Sequence, residues 1–434
     1  MLETVVLLLF ILALAACLFT GASILYALAA GYLLFFLYGL RKGHSANRVF
    51  AMSLSGIQTV KNVLMIFVFI GFITALWRAS GTIPVIVCYS SRLIVPSAFL
   101  LLTFLFNSLL SVLTGTSFGT AATMGVICMS MGKAMQISPV LVGGAILSGA
   151  FFGDRCSPVS SSANLVCDLT GTDIFENIRG MIRTSVVPAA VTCLVYYLLG
   201  RSAGQGVQPM DVEGLFAESF RLHWAAVLPA VVILVLSAMR VPVKRTLLAS
   251  ILLAFVLSII LQGMEVSKLL SVMVFGYHTS NAKLASMVNG GGLISMVRAT
   301  AIVMLSSSYA GIFEGTGLLN SIRERIEALS LRITSFGSTL LVAVLTSMVA
   351  CNQTLAVMLT SQLCRETQPD KKKFALDLEN TAIIVAPLVP WSIAGAVPLA
   401  AVGAPSAGIL AACYLYLLPF WNLCLALAER RWKK

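Results

Sequence analysis

The sequence predicts an all-α polytopic membrane protein assembled from two inverted repeats with broken or re-entrant helices, and three observations predict it. Of the 434 residues, 59% are hydrophobic and 11% charged, too apolar a composition to stay soluble after burying a single core, so lipid must serve as solvent. The apolar residues come in blocks of about 20, the length that crosses a hydrocarbon layer of roughly 30 Å. Short motifs then recur in the same order in the two halves of the chain, as they do in many secondary transporters.

In chain order the blocks lie near 4–22, 23–40, 62–78, 94–113, 184–200, 222–239, 246–262, 293–312, 336–362 and 402–425. The first contains Leu14-Ala15-Ala16-Cys17, which looks like a lipoprotein cleavage site. Glu3 precedes it, however, no Lys or Arg occurs before Arg41, and the run is longer than the roughly 7–15 residues of a signal core. It reads as a first spanning helix. Residues 42–60 and 265–290 are less hydrophobic and read as linkers that follow two plain apolar helices in each half.

The repeat rests on Val112-Leu113-Thr114 recurring as Val344-Leu345-Thr346, on Ser80-Gly81-Thr82 against Thr316-Gly317-Leu318, and on Cys156-Ser157-Pro158-Val159 against Val385-Ala386-Pro387-Leu388. These matches divide the chain into a first membrane repeat over 1–200, a polar linker over 201–220 that includes Gln205-Gly206-Val207-Gln208-Pro209, and a second repeat over 221–434. If each half crosses the bilayer an odd number of times, the halves are inverted.

The net charge of +12 does not point to nucleic acid, because the basic residues sit where apolar blocks end. Arg41, Lys42 and Arg48 are one such group; Arg240, Lys244 and Arg245, then Lys371, Lys372 and Lys373, then Arg430, Arg431, Lys433 and Lys434 are others. That is the positive-inside distribution, and it places the C-terminus in the cytoplasm. Ten cysteines are scattered without a CxxC pair, and His44, His223 and His278 lie near helix ends or in linkers. The pattern argues neither a metal cluster nor a Ser-His-Asp triad, so the expectation is a protein without cofactor and not an enzyme. No Gly-x-x-x-x-Gly-Lys-Ser/Thr loop occurs, so an ion gradient must supply the energy.

Two irregular regions carry the expected chemistry. Residues 113–123 include Thr114, Gly115, Thr116, Ser117, Gly119 and Thr120, a poor continuous helix but a good break at membrane depth. Broken helix ends offer free carbonyls to a cation and free N–H groups to an anion, whereas helix packing by small residues is the alternative use of the same composition. The second region runs from Gly149 through Gly153-Asp154-Arg155-Cys156-Ser157-Pro158, Ser160-Ser161-Ser162 and Asn164. An ionisable residue at this depth is a functional candidate: Asp154 could take a proton or hold sodium, with Arg155 as its ion partner or as a carboxylate anchor. In the second half, Asn352, Gln353 and Thr354 lie within an apolar run, and Glu379-Asn380-Thr381 precede a stretch broken by Pro387 and Pro390. Asp154 and Asn352 are candidate Na+ ligands.

On these residues the chain resembles the NhaC family of sodium/proton antiporters. The resemblance is carried by Gly115 to Thr120, by Gly153 to Ser160 with Asn164, by Leu378-Glu379, and by Pro387-Leu388-Val389-Pro390-Trp391. It implies a scaffold and a transport domain that moves elevator-like, exchange of Na+ for H+ across the cytoplasmic (inner) membrane of a prokaryote, and it leaves a homodimer open. The chain departs from the family pattern where it reads Ser160-Ser161-Ser162-Ala163-Asn164, Cys351-Asn352-Gln353 and Glu379-Asn380, each with a neutral group where the family carries an acid. Fewer acids leave either Asp154 or Glu379 to exchange cations alone, or shift the protein toward Na+- or H+-coupled transport of a small organic anion or amino acid. In either case the partners are a small ion or small molecule and the lipid bilayer, with no nucleic acid.

Overall fold

The computed structural model describes the chain except residues 1, 21–22, 94, 204–211, 240, 280, 282–283, 286–287, 318–333, 351 and 433–434. The linker stretch Gln205 to Pro209, Arg240, Leu318, Cys351, Lys433 and Lys434 lie outside the described residues, as do the side chains of Glu314 and Arg431. What is described is helical, apart from turns and one isolated bridge between Tyr277 and Gly290.

The first half holds α1 (Leu2–Thr20), α2 (Ile24–Arg41), α3 (Ala46–Thr59), α4 (Lys61–Ala79), α5 (Thr82–Leu93), α6 (Phe99–Thr114), the short α7 (Ser117–Thr120), α8 (Val126–Ala134), α9 (Pro139–Cys156), α10 (Ser161–Thr170) and α11 (Ile174–Ala203). The second holds α12 (Val212–Ala217), α13 (Leu228–Ala238), α14 (Val243–Ile260), α15 (Val266–Phe275), α16 (Gly292–Thr316), α17 (Ser335–Ala350), α18 (Gln353–Cys364), α19 (Lys371–Asn380), α20 (Ala382–Val385), α21 (Ile393–Val402) and α22 (Cys413–Trp432). Among the described residues, six helices are long and apolar enough to span a bilayer, or seven if Lys371–Leu388 and Ile393–Val402, bent by 55°, count as one broken span. This is an integral membrane protein, with fewer straight spans than the ten apolar blocks suggested.

The differences have local causes. Block 336–362 is two helices, because Asn352 is extended and caps α18 through its side chain. Block 402–425 starts too early, because Gly403 takes a left-handed φ of 68° and Pro405 prevents continuation, so α22 begins only at Cys413. The supposed linker 42–60 is mostly helix, capped by Ser45, and it lies tightly on α16: a Cβ on Gly56 would meet the Ser307 carbonyl at 2.0 Å, and one on Gly311 the Met52 carbonyl at 2.1 Å. Small residues let these two backbones approach, as in membrane helix pairs generally. The other supposed linker contains α15.

The same device brings α6 against α9. A Cβ on Gly149 would fall 2.6 Å from the Phe104 carbonyl, and one on Gly153 would fall 2.4 Å from the Val112 nitrogen. Ser111 Oγ donates across this contact to the Ala150 carbonyl at 2.5 Å. The result is that the C-terminal ends of α6 and α9, where both helices break, come side by side.

Candidate functional site

The first break follows from Gly115, whose φ of 64° terminates α6. A Cβ there would strike the Val159 backbone at 2.7 Å, so glycine is required both by conformation and by the neighbouring chain. Thr116 is extended and its hydroxyl accepts from Gly119 N at 3.3 Å, which restarts the helix as α7 and a π-turn over Ala121–Gly125. Thr114 and Thr120 hydroxyls meet at 3.2 Å across the break. The second break is set by Ser157, extended and followed by Pro158. Ser157 Oγ donates to the Val112 carbonyl at 2.7 Å, and the Asn164 amide donates to the Pro158 and Ser160 carbonyls at 3.1 and 2.7 Å. The hydroxyls and amides of the two breaks thus hold each other.

Asp154 lies one turn before this second break, 3% exposed. Its Oδ1 accepts from Ser160 Oγ at 2.8 Å, and the same Ser160 oxygen accepts from Ser162 N and Ala163 N at 3.1 and 3.3 Å. One serine therefore caps α10 and solvates the carboxylate. Ser162 Oγ stands 3.5 Å from Asp154 Oδ2 and 3.3 Å from Gln353 Oε1, so its single proton can turn to either half of the chain. Gln353 in turn donates to the Ile383 carbonyl at 3.1 Å. The oxygens gathered here, a carboxylate, two hydroxyls and an amide carbonyl, form a hard-donor set suited to a small cation.

Arg155 is not the ion partner of Asp154. Adjacent helical residues do not face each other, and among the described residues no ion pair joins the two. The guanidinium, fully buried, donates to Ser185 Oγ at 2.5 Å, Tyr414 Oη at 3.1 Å, Thr184 Oγ1 at 3.0 Å, the Met181 carbonyl at 3.2 Å and Asn380 Oδ1 at 2.5 Å. Its hydrogen-bonding capacity is largely spent, which also removes it as a free carboxylate anchor. Asn380 instead ties α19 to α9 and α11.

Glu379 is completely buried beside this network, and neither carboxylate oxygen has a hydrogen-bond partner. It lies within electrostatic reach of both Arg155 and Asp154. An ionised carboxylate with no partner is costly at such a site, so Glu379 calls for a proton or a cation. Thr381, buried, ends α19 and donates to the Asp377 carbonyl at 2.6 Å. Pro387 and Pro390 then produce the bend into α21, held by Trp391 Nε1 donating to the Met348 carbonyl at 2.8 Å.

Of the residues proposed from sequence, the structure gathers Ser160, Asp154 and Gln353 around one point, with Glu379 and Asn380 around Arg155. Ser117 is buried beside Asp154. Asn352 spends its side-chain oxygen on Thr354 N at 2.9 Å. Thr354 and Ser161 are exposed. Ser162, Tyr414, Ser185 and Thr184 were missed as contacts. Ser162 was findable, two residues past a serine that caps a helix; nothing local marks Tyr414 as a partner of Arg155. Among the described residues, no group of three or more His, Cys, Asp or Glu side chains could hold a metal ion.

Comparison with known proteins places this geometry in context. A model of the Na+/H+ antiporter family matches residues 1–165 and 149–426. A malate-2H+/Na+-lactate antiporter of Bacillus subtilis is 29% identical over 93% of this chain and 86% of its own length. The Na+/H+ antiporter NhaC of Alkalihalophilus pseudofirmus is 28% identical over 85% of this chain and 82% of its own. The arginine/ornithine antiporter ArcD of Halobacterium salinarum is 25% identical over 79% of this chain and 73% of its own.

Proposed function

This chain belongs to the Na+/H+ antiporter family, and from that premise we propose that it exchanges Na+ for H+ at a centre in which Asp154 is the competitive cation ligand and Glu379 the second titrating carboxylate. The observation that carries the reading is the solvation of a buried acid by rotatable hydroxyls. Ser160 and Ser162 donate protons to an ionised Asp154 when no metal is bound. When Na+ arrives, the same hydroxyls turn their lone pairs toward it, joined by Gln353 Oε1. When a proton takes its place, Asp154 becomes neutral and the cation leaves.

Arg155 supplies a fixed positive charge near Glu379. One carboxylate is balanced by it and the other by the transported cation, so the loaded centre crosses the low-dielectric region with little net charge. The broken segments 113–164 and 351–391 form the moving transport domain and the plain helices the scaffold, in two inverted repeats over 1–200 and 221–434 around the linker 201–220. The chain resides in the cytoplasmic membrane with its C-terminus inside, its Na+ ligands drawn from Asp154 and the surrounding oxygens, Asn352 contributing only if its cap opens.

A second reading is favoured by the names of two relatives. The Bacillus subtilis protein exchanges malate for lactate with protons and sodium, and the Halobacterium salinarum protein exchanges arginine for ornithine. Neutral Asn380 stands where the resemblance leads one to expect a second acid, and coupled transport of a small organic anion or amino acid fits that loss. Proteoliposomes with Na+ and pH varied independently decide. An imposed Na+ gradient that moves protons without organic solute supports the first reading. No such movement, together with Na+-dependent uptake of radiolabelled malate, lactate or arginine, replaces it with the second.

A further inference from the structure

Arg298 lies in α16, inside the 22-residue apolar span Gly292–Phe313, and its side chain is exposed. Among the described residues it makes no hydrogen bond, ion pair or ring contact. A charged side chain in a membrane helix is costly, and one without a partner marks a candidate site. The positive-inside pattern does not account for it. The basic group Arg41 and Lys42 stands at the end of α2, whereas Arg298 shares its surroundings with Ile24, the residue at the other end of that helix.

Those surroundings are a cavity of about 310 Å3, walled by the start of α2, by α16, by the bend at Pro390, by α21 and by the turn over Ser406–Ala411. Ile302, Leu399 and Ile409 supply apolar wall, and no Asp or Glu lines the space. Its polar side chains are Arg298, Ser295 and Ser406. Ser295 Oγ donates to the Gly292 carbonyl at 2.7 Å, so its proton is committed. Ser406 is exposed, and its hydroxyl makes no hydrogen bond among the described residues. Apolar walls with a few polar groups that fix orientation are the make-up of a small-molecule site. Here the groups left to act are a guanidinium and a hydroxyl, with no carboxylate to compete for them. None of the lining residues hydrogen-bonds to Asp154 or Arg155.

We propose that Arg298 and Ser406 hold the oxyanion head of a singly charged molecule whose short apolar body fills this cavity. A guanidinium recognises carboxylate and phosphate oxygens through paired N–H donors. One positive charge balances one negative charge; a second would be buried without a partner, which is costly. A water-soluble monocarboxylate and an anionic lipid present this same chemistry, and the test separates them. The inference goes beyond Na+/H+ exchange and does not depend on it, since its readout is binding.

The test measures thermal unfolding of the full chain purified in neutral detergent. Butyrate, lactate and malate are added as choline salts at about 50 mM, against choline chloride of matched ionic strength and against uncharged butyramide; phosphatidylglycerol is added to separate micelles. Butyrate, lactate or phosphatidylglycerol is expected to raise the midpoint by roughly 2 °C, and butyramide to leave it unmoved. A response to the solutes identifies a solute site, and a response to phosphatidylglycerol alone identifies a lipid site. Arg298→Gln, which removes the charge, and Ala400→Leu, which fills the cavity from α21, should each abolish the shift. Arg48→Gln, at an exposed arginine outside the cavity, should keep it. The proposal is overturned if no singly charged anion stabilises the protein, if butyramide or malate stabilises it as much as butyrate, or if the shift survives either cavity variant.

Discussion

Asp154 and Glu379 are both buried carboxylates in broken parts of the chain, yet their surroundings are opposite. Asp154 accepts from serine hydroxyls that belong to the same break, whereas Glu379 has no donor on either oxygen. Hydrogen bonding stabilises a carboxylate in its charged form, and burial without donors favours the neutral one. Asp154 is therefore provided with hydroxyl donors for its carboxylate, and Glu379 with no donor but with the charge of Arg155 nearby. The lesson is that two buried acids of one chain can be provided for in different ways, one by a helix-capping serine and the other by no hydrogen-bond donor at all.

The largest effect expected from breaking this comparison is on the charge beside Glu379, the Arg155 network. Arg155→Met removes the guanidinium that donates to Asn380, Ser185 and Tyr414 together with the positive charge near Glu379, and should cost about 4 kcal/mol of stability. Loss of stability below about 1 kcal/mol on thermal or denaturant unfolding in detergent would mean that the network is not what holds α9, α11, α19 and α22 together.

Next is Asp154→Asn, which keeps shape and removes charge. It should weaken Na+ binding by about 3 kcal/mol, roughly 100-fold, and stop Na+-driven proton movement in proteoliposomes. Unchanged flux would sink the assignment of Asp154 as the exchanging ligand.

Glu379→Gln acts in the other direction on stability. Replacing an acid that has no partner by a neutral amide should leave folding unharmed or stabilise it by about 1 kcal/mol, while exchange is lost or becomes insensitive to pH. A strongly destabilised variant would show that Glu379 has a structural partner when the protein works. Smallest is Ser162→Ala, which removes the hydroxyl between Asp154 and Gln353. A loss of about 1 kcal/mol, near a five-fold rise in the Na+ concentration for half-maximal flux, is expected. No change in that concentration would remove Ser162 from the cation shell.

Much of the fold was legible because its causes are local. Apolar runs set the helices, and Gly115, Pro158 and the pair Pro387 and Pro390 announce where they stop. The errors were also local: Asn352 splits one block, Gly403 ends a helix inside another, and α3 was taken for a linker, since a helix with polar residues on one face reads as weakly hydrophobic. The site was half legible. Ser160 near Asp154 follows from a six-residue spacing across a break, but the pairing of Arg155 with Asn380 spans 225 positions and could not be read from either neighbourhood.

What the sequence by itself determined is the solvent, the helices, their breaks, and which side chains bear charge at membrane depth, because each depends on residues within a turn or two. What only the tertiary structure decided is which charge meets which partner. The approach of α6 to α9 through Gly149 and Gly153 placed the two breaks together, and the arrival of Tyr414 and Asn380 satisfied Arg155 and left Asp154 to the serines. Sequence spacing fixes direction around one helix; the distance between two helices is set by packing over the whole bundle.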